Sequence, residues 1–163
     1  MIIVSDTSSI SNLLQIGLIN ILHTLYGEIT ITPAVRRELY AIPEQEKQIE
    51  QIGWIKVQAP RNQKMVVEFL KELDLGEAES IALAVEEKAK YLIIDEYKGR
   101  AIADAYGVKI VGILGVLIQA KQQGVISSVK PNIEKLIEIG FRLDKKLIAK
   151  VLRSLGEEYQ DLS

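Results

Sequence analysis

Short apolar runs that stop on polar residues alternate along the chain with apolar positions at helical spacing. Residues 2–4 (IIV) are cut off by SDTSS, the pattern of a buried strand ending in a polar loop. The spacing predicts a helix directly afterwards, capped by Ser8 or Ser9, with Ile10, Leu13, Leu14 and Leu18 as its apolar stripe and Gly17 splitting it. Residues 28–32 (EITIT) alternate and reach Pro33, a good first-turn residue for a helix running to about Tyr40. After Pro43 comes a short charged helix stopped by Gly53, and residues 54–57 read as a third strand.

The second half repeats the alternation. A helix is predicted over 63–73, with Val66, Val67, Leu70 and Leu73 on one side. Gly76 interrupts, and Ala78, Ile81, Ala82, Val85 and Ala89 then trace a second helix. The run YLII at 91–94 is another buried strand, stopped by Asp95 and Glu96. A helix over 97–106 ends at Gly107, residues 109–111 form a short strand, and a largely apolar helix over 113–122 is ended by Gly124. Two amphipathic helices, about 130–139 and 144–155, precede a frayed acidic tail at 156–163.

Apolar strands alternating with helices imply an α/β fold, a parallel sheet covered on both faces. With 163 residues, 48% hydrophobic and 26% charged, the chain suits one domain over 1–155. Its last two helices, about 130–155, are either part of that domain or a C-terminal extension, since no shift in composition marks a boundary.

Composition narrows the chemistry. Cys is absent and His occurs once, at His23, which excludes thiol catalysis, disulfides, Cys-based zinc and iron–sulfur sites, and multi-His metal sites. Catalysis would run on carboxylates, hydroxyls, Lys or Arg, with Mg²⁺ or Mn²⁺ as the natural cofactor. The net charge of −2 gives no global positive field toward nucleic acid. The N-terminus lacks a signal pattern, and the most apolar stretch, 108–120, holds Lys109 and two glycines and is too short for a bilayer. The expectation is a soluble, cytoplasmic protein without a membrane partner.

In open α/β sheets ligands bind beyond the carboxyl ends of the strands, and Asp6 and Asp95 stand at two of those ends. Each could equally be a helix cap. Glu77 opens the helix after Gly76; Glu79, two residues on and about 200° around the helix, points elsewhere. The positive helix terminus alone would favour Glu77, and Glu38 could be an ordinary solvated residue. Carboxylates converging on one sheet edge would repel one another unless a cation held them together.

The segments VSDTSSISNL, TPAVRREL, LGEAESIALA and LIIDEYKGRAIADAYGVKIVGILGVLIQAKQQG, in this order over nearly the whole chain, together resemble a PIN-domain ribonuclease. The similarity is greatest to the VapC-like toxin branch. That resemblance implies a three-layer fold around a central parallel sheet of about five strands. It also implies a Mg²⁺- or Mn²⁺-dependent endoribonuclease, often the toxin of a toxin–antitoxin pair and commonly a homodimer, with RNA as substrate and an antitoxin protein as partner. It makes Asp6, Glu38, Glu77 and Asp95 the four metal-binding catalytic acids. Ser8, Glu96, Lys98 and Arg100 are accessory candidates, the last two toward RNA phosphates. The third acid is often Asp in the family, whereas this chain has Glu77, as is usual in the VapC-like branch. Two divalent ions on the four acids would move the formal balance from −2 to +2. The alternatives are a PIN-like module that binds RNA or protein without cutting, and a phosphotransfer domain. The haloacid-dehalogenase type of the latter needs an Asp where Ser8 stands.

Overall fold

The computed structural model describes residues 1–157. Its strands are β1 (Ile3–Ser5), β2 (Ile29–Ile31), β3 (Ile55–Val57), β4 (Tyr91–Ile93) and β5 (Ile110–Val111). Between and after them lie α1 (Thr7–Gln15), α2 (Asn20–Tyr26), α3 (Pro33–Tyr40), α4 (Pro43–Glu50), α5 (Gln63–Phe69), α6 (Leu75–Glu86), α7 (Tyr97–Ala105), α8 (Ile113–Gln122), α9 (Lys130–Glu138) and α10 (Lys145–Ser154). All strand pairs are parallel, in the order β3-β2-β1-β4-β5.

Period-2 alternation sends successive strand residues into two cores, one on each face of the sheet. Ile3, Ile29, Ile31 and Ile93 face one core with α1, α3, α8, α9 and α10, where Leu13, Val35, Val116, Ile133 and Ile148 are buried. Val4, Leu92 and Ile94 face the other with α5, α6 and α7, where Phe69, Ile81 and Ala103 are buried. The result is a three-layer α/β fold around a five-stranded parallel sheet, as the alternation of elements implied. Among the described residues no helix is long and apolar enough to cross a membrane.

Winding proceeds outward from β1 through β2 to β3, then returns to β4 on the other side of β1 and continues to β5. The reversal lies between β1 and β4, whose register pairs Ser5 with Ile93. The crevice expected at such a switch point therefore opens beside Asp6 and Asp95.

Several local expectations are corrected. The cap of α1 is Asp6, not Ser8 or Ser9: its backbone is extended and its carboxylate accepts from the Ser9 N–H. Gly17, at φ 75°, does split the segment, which leaves Leu18 outside both helices. Helix α5 stops at Phe69 rather than Leu73, because Asp74 must adopt an extended backbone to cap α6. The buried side of that segment is Val66, Phe69 and Leu73, while Val67 and Leu70 are exposed. Gly76 does not interrupt a helix; it lies in the first turn of α6. Nor does Glu157 fray: its carboxylate accepts from Lys121 Nζ at 2.7 Å and from the backbone N–H groups of Val129 and Lys130 at 2.9 Å each. It thus ties the end of the chain's last described turn to the start of α9. The rest of the expected tail, 158–163, lies outside the described residues.

Candidate active site

Asp6 is held by its own helix. Its Oδ1 accepts the Ser9 N–H at 2.9 Å and its Oδ2 the Ser8 hydroxyl at 3.3 Å, so capping and site chemistry fall on the same carboxylate. The side chain is only 3% exposed. Burial, with a smaller push from Asp95, raises its pKa from 3.8 to about 6, against the pull of the Ser9 and Ser8 donors.

Asp95 follows β4 but caps a different helix. Both its oxygens accept the Ile113 N–H, at 3.1 and 3.2 Å, which anchors the N-terminus of α8. Gly112 is required for this approach: a Cβ there would sit 2.7 Å from Asp95 Oδ1 and 2.8 Å from Arg100 Nη1. Burial raises the Asp95 pKa, while the Ile113 N–H, the Arg100 charge and Ser9 lower it. Ser9 couples the two aspartates, its N–H on Asp6 and its hydroxyl 3.4 Å from Asp95 Oδ2.

Glu38 reaches the site from α3. Its carboxylate accepts the Thr7 hydroxyl and lies against the α6 backbone at Gly76, where a Cβ would be 2.6 Å from Glu38 Oε2. Glu79 fixes the same pair of helices from the other side by accepting the Ala34 N–H at 2.9 Å, which caps α3. That position agrees with the expectation that Glu79 points away from Glu77.

Glu77 is the anomalous acid. Its Oε2 is buried and has no hydrogen-bond donor. Burial, together with Asp74 and Glu96 beside it, pushes its pKa from 4.5 up to about 8. Three ionised carboxylates this close repel one another, which favours the neutral form of Glu77. Glu96 caps α7 through the Gly99 N–H at 2.6 Å. Burial works to raise its pKa, but the Gly99 and Lys98 N–H groups, Glu77 and the Lys98 charge hold it below the usual value.

A cleft of about 410 Å³ is lined by Asp6, Thr7, Ser8, Ser11, Glu38, Asp74, Glu77 and Glu96. Three of the four acids expected from sequence thus share one cavity. Asp95 does not line it; with Arg100 it faces a neighbouring groove of about 430 Å³, and its link to Asp6 runs through the buried Ser9. Ser8 and Glu96 line the cleft, while Lys98 is exposed on α7. Among the described residues no three carboxylates are already gathered as metal ligands. Sequence reasoning missed Asp74, Ser9 and Thr7. Asp74 had a visible signal, a cap residue three positions before Glu77, whereas the Ser9 bridge depends on the β1–β4 neighbour relation, which no local pattern encodes.

The sequence profile of a PIN-domain family matches residues 2–157. The chain belongs to the PIN-domain family. Its members are typically nucleases and generally use divalent metal ions. No curated protein matches the chain at a significant level. The PIN-domain assignment agrees with the five-stranded parallel sheet and stands in preference to a phosphotransfer fold.

Proposed function

We infer that this PIN domain is a Mg²⁺- or Mn²⁺-dependent endoribonuclease hydrolysing RNA phosphodiesters. The observation that carries this reading is the orphaned, buried Oε2 of Glu77 in a cleft that Asp6, Glu38, Asp74 and Glu96 also line. Two of those acids have raised pKa values, so ionising the whole set is unfavourable unless a cation enters. An all-oxygen donor set suits a hard divalent ion. Asp6 and Glu77 would hold it, with Asp95 behind Asp6, and Glu38 or Glu96 would complete the shell or take a second ion. When bound, such an ion supplies charge neutralisation at the scissile phosphate and a lowered water pKa.

The remaining work falls to the chain's own groups. Ser9 fixes Asp6 and Asp95 relative to each other. Thr7 orients Glu38 at the exposed side of the cleft, where its carboxylate can accept a proton from an attacking water. Glu77 would be ionised as a ligand, its otherwise unpartnered Oε2 being the atom available to a cation. No nucleophilic side chain is required, which suits a chain without Cys.

The toxin role, a homodimeric state and an antitoxin partner complete the proposal; they rest on the similarity of the DTS and GEAE segments to the VapC-like branch. Incubating the purified chain with a mixed RNA pool, with Mn²⁺ or Mg²⁺ and then with EDTA, tests the activity. Cleavage that starts with metal and stops with chelator is expected. Tight RNA binding without cleavage in either ion would favour the non-catalytic module instead.

A further inference from the structure

The cleft is lined by five carboxylates, so an RNA strand must be held by charge somewhere else. The chain as a whole is −2, yet residues 130–154 carry seven Lys or Arg against three Asp or Glu, a local balance of +4. Helix α10 sorts its residues into three arcs at about 100° per residue. Ile148, Ala149 and Leu152 are buried in the core. Leu147 and Val151, roughly a quarter-turn or more away, line the groove that also contains Asp95, Arg100, Ile118 and Gln119. Lys146, Lys150 and Arg153 fall within an arc of about 60° beyond them, and all three are exposed.

We propose that the α8–α10 groove is the docking track for single-stranded RNA entering or leaving the acid cleft, with Lys146, Lys150 and Arg153 contacting successive phosphates. The proposal rests on the ribonuclease reading and extends it to the surface that holds the substrate. Two features besides charge single this groove out. It lies next to the site, because its lining residue Asp95 is tied through the buried Ser9 to Asp6 of the cleft. It also carries Arg100 beside Asp95, a cation within the groove itself. The aliphatic floor of Leu114, Ile118, Leu147 and Val151 suits base faces without selecting a sequence, while the exposed cations on the adjoining arc of α10 suit a backbone. Leu147 is 45% exposed, which leaves that floor open to a ligand.

Anisotropy of a labelled, unstructured RNA 12-mer in EDTA separates binding from cleavage. The triple variant Lys146→Glu, Lys150→Glu, Arg153→Glu is expected to bind roughly tenfold or more weaker than the wild-type chain. Its dependence of log Kd on log salt should be shallower by about 2, from three lost phosphate contacts at about 0.7 each. The charge-conserving triple Lys146→Arg, Lys150→Arg, Arg153→Lys should bind as the wild type does. This control guards against a folding defect, which circular dichroism of both variants also reports. Equal affinity and equal salt slope for the Glu triple and the wild type would overturn the proposal. So would unchanged RNA binding accompanied by lost self-association or lost adsorption to anionic vesicles, either of which would assign the face to another ligand. Metal-dependent cleavage by the wild type is scored separately, so a failed ribonuclease reading and a failed docking track give different results.

Discussion

Asp6→Asn should make the metal-free protein more stable while removing its activity. Asp6 is buried with its pKa raised from 3.8 to about 6, and a tenfold change in an ionisation equilibrium corresponds to about 1.4 kcal/mol. Keeping the carboxylate ionised in the fold therefore costs on the order of 3 kcal/mol above pH 6. Asn is as good a cap as Asp and still accepts the Ser9 N–H, so the local structure survives the change. Because the folded pKa is raised, the native state holds the proton more tightly than the unfolded chain. Wild-type stability consequently falls as pH rises from about 3.8 to about 6 and then levels off, a loss the Asn variant does not share. Urea melts without divalent ions should show no difference at pH 3.5 and an advantage of about 2–3 kcal/mol for Asp6→Asn at pH 8, or roughly 5–10 °C in Tm. A divalent ion at about 100 times its Kd should add about 2.7 kcal/mol to the wild type and close the gap. A variant that is equal to or less stable than the wild type at pH 8 in EDTA would refute this account of the buried acid.

Other perturbations separate site geometry from stability. Gly76→Ala places a Cβ 2.6 Å from Glu38 Oε2, a flexible end that can swing aside; stability should hold or rise by up to about 1 kcal/mol, while RNA cleavage falls as far as in Glu38→Gln. Glu79→Ala removes the carboxylate that caps α3 at Ala34 and should cost about 1 kcal/mol in a urea melt, with Glu79→Gln restoring most of it. Glu157 has a pKa held below 4.5: burial opposes this, but Lys121, the Val129 and Lys130 N–H groups and the Lys121 charge prevail. Its contribution is present above pH 4.5 and lost as pH falls through the lowered value, so Glu157→Gln should cost about 1–2 kcal/mol at pH 7 and converge on the wild type in acid.

Much of this architecture is legible in the sequence because burial on both faces makes the central strands β1 and β4 apolar runs, and because Pro33, Gly17 and Gly124 punctuate the helices where they fall. Less legible were features set by tertiary neighbours. A glycine three residues after Leu73 looks like a break, yet Gly76 sits within α6 because its missing Cβ admits the Glu38 carboxylate from α3. Asp95 looks like the cap of the helix that follows it, but Glu96 takes that role and Asp95 is drawn to Ile113 on α8. Its displacement from the cleft to the neighbouring groove follows from that bond. Local patterning locates the ends of β1 and β4 and the Ser9 N–H that holds Asp6, whereas the placement of Asp95 depends on the distant Ile113 N–H.

The central claim is that the carboxylates at the β1–β4 switch point form a metal-dependent nuclease centre. Its most direct test is RNA cleavage with end mapping by the wild type, Asp6→Asn and Glu77→Gln, each verified as folded by circular dichroism, in Mn²⁺ and in EDTA. The wild type should cut only with metal, and both variants should lose at least about 99% of that rate, on the order of 3 kcal/mol of barrier. Cleavage by Asp6→Asn at the wild-type rate, or cleavage that persists in EDTA, would contradict it.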